Sequence, residues 1–315
     1  MGSPEFAVPS LRALCGAGHR VVVAVTQPDK PAGRGGKLQK PAVKVAAEEL
    51  GIETFQPITL REDSVRGRLI AADADVFAVA AYGKILPQAV LDIPRRGCVN
   101  VHGSLLPKWR GPSPIVASIL AGDAETGVSI MELVRKMDAG PVISRKAVSI
   151  EPTDTAASLE PRLARLGAEE LVRVLPGWLS GERRAEPQDE TAATYCHILN
   201  KQDGQLRATM TADEAERAVR AHNPWPGAFV LYNGERLAIW RAHIAKDAGD
   251  DPDQNTRSTA GRTGSTTIVD KAPALAFEGR LLVLDEVQRP GGKRVSGTQF
   301  LSGERGVLSP LVGLA

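Results

Sequence analysis

Two side chains with complementary chemistry stand two residues apart in Cys98-Val99-Asn100-Val101-His102-Gly103-Ser104-Leu105-Leu106-Pro107. The stretch opens as an apolar strand pattern and runs into a turn. Successive side chains of a strand point to opposite faces, so Asn100 and His102 project to the same side. Gly103 and Pro107 break the ladder, which puts the pair near the carboxyl end of the strand, where open α/β sheets bind ligands. A carboxamide donor beside an imidazole suits stabilisation of a tetrahedral oxyanion during acyl transfer. On these residues alone a plainer reading stays open: His102 satisfies a loop carbonyl and Asn100 caps a turn.

The elements that must position this pair follow from periodicity. Arg20 to Thr26 and Asp75 to Ala81 are β-branched or apolar runs of strand length, as are Gly127 to Leu133 and Val142 to Ile150. Helical patterns cover Pro4 to Gly16, Ala42 to Leu50, Asp63 to Ala71, Ser113 to Ala121 and Asp154 to Trp178. Alternating strands and helices with short loops predict an α/β fold, a Rossmann-like mostly parallel sheet with helices on both faces. Gly181 to Asp203 is polar and lacks clear periodicity. Beyond it, Thr211 to Ala221 reads as a helix. Short strands at Ala228 to Tyr232, Arg236 to His243, Ala274 to Phe277 and Leu281 to Val287 predict a small β-barrel. Residues 247–265 are acidic, then Gly- and Thr-rich, and predict a partly disordered loop. The expected domains are 1–182, a linker 183–203, and 204–315.

Composition narrows the function classes. A hydrophobic fraction of 43% with 24% charged residues and a net charge of +2 is ordinary for a globular protein of 315 residues. No apolar run approaches the ~20 residues of a membrane span, and the N-terminus lacks a signal-peptide pattern. Cys15, Cys98 and Cys196 are few, odd in number and far apart, which predicts buried thiols in a reducing cytoplasm. No Cys/His cluster has ligand spacing, so no metal is expected. Nothing in the sequence calls for an obligate protein partner.

The longer string N-x-H-G-S-L-L-P-x-W-R-G, Asn100 to Gly111, resembles the signature of the 10-formyltetrahydrofolate-dependent formyltransferases. His-Gly-Ser, where the glycinamide ribonucleotide branch typically has His-Pro-Ser, is similar to the branch acting on methionyl-tRNA and on UDP-sugars. The resemblance implies 10-formyltetrahydrofolate as formyl donor and a catalytic set of Asn100, His102 and Asp138. By itself Asp138, in Lys136-Met137-Asp138-Ala139-Gly140-Pro141, reads as an Asx turn; the family has an acidic residue at that place. The family often has a second acidic residue after the Gly, where this chain has Pro141. The resemblance also implies that Tyr82, Gly83, Ile85 and Leu86, of A-Y-G-x-I-L-P, wall the pterin pocket, and that Ser104, Leu105, Leu106 and Pro107 bind folate.

Between Pro28 and Lys44 the basic residues Lys30, Arg34, Lys37, Lys40 and Lys44 face Asp29 alone. Three prolines and three glycines over residues 27–41 predict no regular structure there. Such a loop is a solvated surface or an arm that follows an RNA backbone. The T-Q-P-D-x-P-x-G-R-G pattern resembles the loop with which the tRNA-acting enzymes reach the acceptor arm. Through that resemblance Lys30, Arg34, Lys37 and Lys40 become candidate tRNA contacts, and methionyl initiator tRNA the expected formyl acceptor. Pro224-Trp225-Pro226-Gly227 and Gly291-Gly292-Lys293-Arg294 match the family's OB-like tRNA-binding domain. From residue 203 onward there are 14 basic and 14 acidic residues, so any RNA face there must come from arrangement.

Two rival functions remain. One is a UDP-4-amino-sugar N-formyltransferase with the same catalytic set; the other is a non-catalytic folate- or RNA-binding relative. The N-terminus bears on the second. Met1-Gly2-Ser3 resembles the turn that in the family follows a first strand of about five apolar residues, and that strand is not in the sequence. Either the start is placed too far downstream or the sheet lacks an interior strand. The first is the expectation, because loss of an interior parallel strand exposes its neighbours' edges.

Overall fold

The computed structural model describes residues 1–32, 37–245, 264–278 and 280–304. The chain folds as two compact units: Met1–Ile115 with Ala124–Ile150 and Ser158–Ile198, and Val116–Asp123 with Glu151–Ala157 and Leu199–Ala315. In chain order the elements are α1 (Val8–Gly16), β1 (Ala24–Val25), β2 (Lys30–Ala32), β3 (Lys37–Gln39), α2 (Ala42–Glu49), β4 (Thr54–Phe55), α3 (Asp63–Ala71), β5 (Phe77–Ala80), α4 (Gln88–Leu91), β6 (Cys98–His102), α5 (Pro114–Ala121), β7 (Glu125–Glu132), β8 (Val142–Ser149) and α6 (Ala156–Ser180). After them come α7 (Ala212–Ala221), β9 (Ala228–Tyr232), β10 (Glu235–Ile244), β11 (Thr266–Val269), β12 (Ala272–Phe277), β13 (Arg280–Gln288), β14 (Arg294–Ser296) and α8 (Gly297–Gly303).

In the first unit β5 and β6 pair in parallel, Val79 opposite Asn100, while β7 and β8 complete a four-stranded sheet as antiparallel neighbours. The sheet is therefore mixed. Every residue of β6 is buried. Behind it, α6 buries Leu159, Leu163, Ala164, Ala168 and Leu171, the i, i+4 rhythm of a helix facing a core. Pro161 and Pro176 lie inside this helix without ending it. Gly167 permits the close approach: a Cβ there would stand 2.5 Å from Val101 Cγ1.

The predicted strand over Arg20–Thr26 forms a ladder only at Ala24–Val25, parallel to β4. Between it and β5 the chain supplies just Met1 and Gly2. Gly2 N donates to the Val25 carbonyl at 3.0 Å, and Ala80 N donates to the Met1 carbonyl at 2.9 Å. Alongside lies a cavity of about 420 Å³ lined by Val21, Val23, Val76 and Ala78.

A second departure is the stretch after β1. It holds a short antiparallel hairpin, β2 and β3, with Lys30 opposite Gln39 and Pro31 opposite Leu38. Prolines prevent only hydrogen bonds that use their own nitrogen, so a hairpin edge tolerates them. The stretch expected as a linker also contributes to the first unit: Glu186 bridges Val142, and Tyr195 bridges Arg110.

The second unit is an antiparallel sheet in the order β11-β12-β13-β10-β9, with β14 pairing along β13 beyond the end of β12. Its core gathers Val219, Val230, Ile239, Phe277, Leu282 and Phe300. Helix α7 starts with a capping box, in which Thr211 Oγ1 accepts from Glu214 N and Glu214 Oε2 accepts from Thr211 N. The predicted loop over 247–265 lies outside the described residues except at its last two positions. No helix among the described residues is long and apolar enough to cross a membrane.

Candidate active site

Strand β6 delivers Asn100 and His102 to the same face, as the period of two requires. Both are buried, with Asn100 9% and His102 6% exposed. Among the described residues the Asn100 carboxamide makes no side-chain hydrogen bond, which leaves its N–H groups for a ligand. His102 Nε2 donates to the Trp109 carbonyl at 3.0 Å. The plainer role foreseen for this imidazole, a loop-carbonyl partner, is thus half of what it does. That bond orients the ring so that Nδ1 faces Asp138, 3.9 Å from Oδ2. The separation is that of an ion pair, too long for a direct hydrogen bond.

Asp138 sits in the left-handed region at φ 47°, a conformation that costs a non-glycine residue about 1–3 kcal/mol and persists only where its surroundings hold it. They do. Gly111 N donates to Asp138 Oδ2 at 2.8 Å, and Gln188 Nε2 donates to the Asp138 carbonyl at 2.8 Å and to the Gly140 carbonyl at 2.6 Å. Gly140 is required for the same turn, because a Cβ would fall 1.8 Å from the Glu132 carbonyl oxygen.

Gln188 is held in turn by Arg110, which is fully buried. The guanidinium donates from Nε and Nη2 to Gln188 Oε1 at 3.1 and 2.9 Å, and from Nη2 and Nη1 to the two Glu190 oxygens at 2.8 and 3.1 Å. Hydrogen bonds from Arg110, then from Lys136, hold the Glu190 carboxyl down at about 2. Residues 186–196, which lack periodicity in the sequence, lie against this loop. Arg110 N donates to the Thr194 carbonyl at 2.9 Å and Trp109 N to Thr194 Oγ1 at 2.9 Å. Sequence reasoning singled out neither Arg110 nor Gln188. Arg110 lies inside the quoted W-R-G, whereas Gln188 has no local signal at all.

The folate candidates divide. Tyr82 is 2% exposed and packs into the core with Val25, Leu60, Val65 and Leu69. Burial pushes its phenol up to about 12. What it presents is backbone, its carbonyl accepting from Gln27 Nε2 at 2.9 Å. Leu86 is buried, while Gly83 and Ile85 are exposed, Ile85 at 79%. The Ser104 hydroxyl is committed to the Lys108 carbonyl at 2.7 Å. Leu106 N donates to Ser129 Oγ, which itself donates to the Ser104 carbonyl, so β7 pins the turn. Leu105 and Pro107 are the half-buried members, and Leu106 is buried.

The basic residues after β1 are partly spoken for. Lys40 pairs with Glu48 at 2.7 Å, Lys44 with Asp29 at 2.9 Å, and Lys30 Nζ donates to Gln27 Oε1 at 2.8 Å. Lys37 begins β3, and Arg34 lies outside the described residues. Among the described residues no group of three or more His, Cys, Asp or Glu side chains is placed to hold a metal. The three thiols are unpaired, and burial pushes that of Cys98 up to about 12.

Residues 1–175 match the formyl transferase family, and residues 198–305 match the formyl transferase C-terminal domain. The chain belongs to the formyl transferase family. A methionyl-tRNA formyltransferase of Dechloromonas aromatica (strain RCB) is 45% identical over 303 residues, covering 96% of this chain and 94% of that relative. One from Chloroflexus aurantiacus is 43% identical over 304 residues, covering 96% and 95%. Among solved structures, an N-formyltransferase from Helicobacter canadensis, in complex with folinic acid and dTDP-3-aminofucose, superposes with a TM-score of 0.65 at 15% identity. The match covers 91% of this formyl transferase and 97% of that chain. HypX from Aquifex aeolicus, in complex with tetrahydrofolic acid, superposes with a TM-score of 0.57 at 15% identity over 81% of this chain and 43% of its own. At such identities these two describe the fold alone.

Proposed function

We propose that the protein transfers the formyl group of 10-formyltetrahydrofolate to the α-amine of methionyl initiator tRNA. The observation that carries the chemistry is the convergence of an unengaged carboxamide, an imidazole and a carboxylate on the face of β6. The acceptor is supported by relatives named methionyl-tRNA formyltransferase that are 43–45% identical over 96% of the chain.

An uncharged amine nitrogen attacks the formyl carbon, and the carbonyl electron pair moves to oxygen. Asn100 donates to that oxyanion, where a preorganised donor is worth several kcal/mol. His102, with Asp138 beside it, stabilises the charge and handles the proton lost from the attacking nitrogen. Collapse reforms the C=O bond, breaks the bond to N10, and N10 receives a proton. Atoms and charges balance without a metal or an oxidant. The exposed Ile85 and the half-buried Leu105 and Pro107 supply apolar surface for the folate, and Lys30, Arg34, Lys37 and Lys40 serve the tRNA backbone. The C-terminal sheet unit adds the rest of the tRNA surface.

Formyl transfer measured side by side on charged initiator tRNA and on a UDP-4-amino sugar tests the assignment. Formylation of the tRNA alone is the expected result. Transfer to the sugar alone would reassign the acceptor, and transfer to neither would leave a binding protein.

A further inference from the structure

We propose that Gln188, clamped by Arg110, is the positioning residue that holds Asp138 against His102. The inference rests on Asp138 being part of the catalytic set. It comes from three observations that meet at one carboxamide.

The first is direction. Arg110 has only donors, and two of them point at one Gln188 oxygen. This fixes the amide with its nitrogen on the other side, where that nitrogen donates to the carbonyls of Asp138 and Gly140. A buried guanidinium thereby sets which way a neutral amide faces, and the amide sets the turn. The second is strain. Asp138 holds a left-handed backbone, which aspartate tolerates better than most residues but still at a cost, and the Gln188 bond acts on its carbonyl. The third is leverage. At 3.9 Å the Asp138 carboxylate is at the edge of ion-pair range from His102, so a small backward rotation of the turn breaks the pair. The Gly111 amide holds the carboxylate, but only Gln188 holds the Asp138 carbonyl among the described residues. Glu190 completes the device by balancing the Arg110 charge at the surface, where it is half exposed.

Geometric displacements of about 1 Å near reacting groups cost up to roughly a hundredfold in rate. Gln188→Glu is nearly isosteric and keeps an acceptor for Arg110, yet it replaces the donor to both carbonyls with an oxygen. Both Gln188→Glu and Gln188→Ala should lower kcat about 10- to 100-fold, with KM for 10-formyltetrahydrofolate and for charged tRNA within about twofold of wild type. In an Asp138→Asn background the same changes should do almost nothing, since a residue acting through Asp138 has nothing left to position. Melting curves of both variants accompany the kinetics. Wild-type turnover of Gln188→Glu, or an equal loss in the two backgrounds, overturns the proposal and makes Gln188 a packing residue. Wild-type turnover of Asp138→Asn itself removes the catalytic reading and the proposal with it, and the two failures are told apart by that single variant.

Discussion

The turn that carries Asp138 and the basic hairpin after β1 solve opposite problems. Around Asp138 a chain of polar groups is tied down. Its carbonyl, its carboxylate, and the amide and guanidinium behind it all have partners within 3.1 Å, and Arg110 has no exposed surface. Around the hairpin Lys44 and Asp29 form a largely buried pair, whereas the pair of Lys40 and Glu48 lies at the surface, its side chains 49% and 43% exposed. Such surface pairs are worth about 0–1 kcal/mol. Moving a proton at a given atom demands fixed geometry, because rate falls steeply with misplacement. Attracting a phosphate chain demands only charge within reach, because that field acts over about a Debye length. One fold therefore concentrates buried hydrogen bonds around the turn at Asp138 and leaves Lys40, beside the hairpin, in an exposed pair.

The largest effect should come from the face of β6. His102→Ala and Asn100→Ala should each lower kcat on the order of 10²–10⁴-fold with folate affinity largely kept. Steady-state kinetics beside a folate titration reads both, and near wild-type turnover in the two purified variants would erase the contrast between a fixed and a loose region. Gly140→Ala comes next. The added methyl must displace the Glu132 carbonyl, which should cost about 1–3 kcal/mol of stability by overpacking. It should also slow turnover out of proportion to folate binding; a melting temperature and kcat both matching wild type would show that the turn is not tightly held.

The hairpin gives a middling effect of a different kind. Arg34→Ala with Lys37→Ala should weaken tRNA binding and flatten the slope of log K against log salt by about one to two units, at roughly 0.7–0.9 per phosphate contact. Lys40→Ala should flatten it less, because Lys40 is already engaged by Glu48. Direct binding at several salt concentrations separates these; an unchanged slope in the double variant would deny the hairpin its RNA role and raise the sugar alternative.

The smallest effect is a pH dependence. Glu190 is held at about 2 in the folded protein, below its ordinary 4.5. A depressed carboxyl stabilises above its unfolded pKa, and that contribution fades as pH falls from about 4.5 through about 2. Glu190→Gln should therefore shrink the acid-induced loss of stability in that window and change little near pH 7. Identical acid unfolding profiles for the two proteins would mean that Arg110 is balanced from elsewhere.

Where the order in the fold is local, residue types and spacing determine it. The same-face placement of Asn100 and His102 follows from the strand period alone. The helices at 42–49, 63–71 and 212–221 follow from apolar rhythm and, for the last, from a Thr-x-x-Glu cap. Family likeness in the string from Asn100 to Gly111 added the chemistry and pointed to Asp138. The ladder of β1 was overestimated, because a β-branched run shows that a segment can pair but not that a neighbour is there. Gln188 was out of reach altogether. It meets Asp138 across 50 residues and Arg110 across 78, from a polar stretch without period. Only the tertiary structure decides which polar side chain faces a buried guanidinium, because that choice is made by burial. A hydrogen bond unmade in the interior costs more than one exchanged with water, so Arg110 selects its acceptors from whatever the fold brings near.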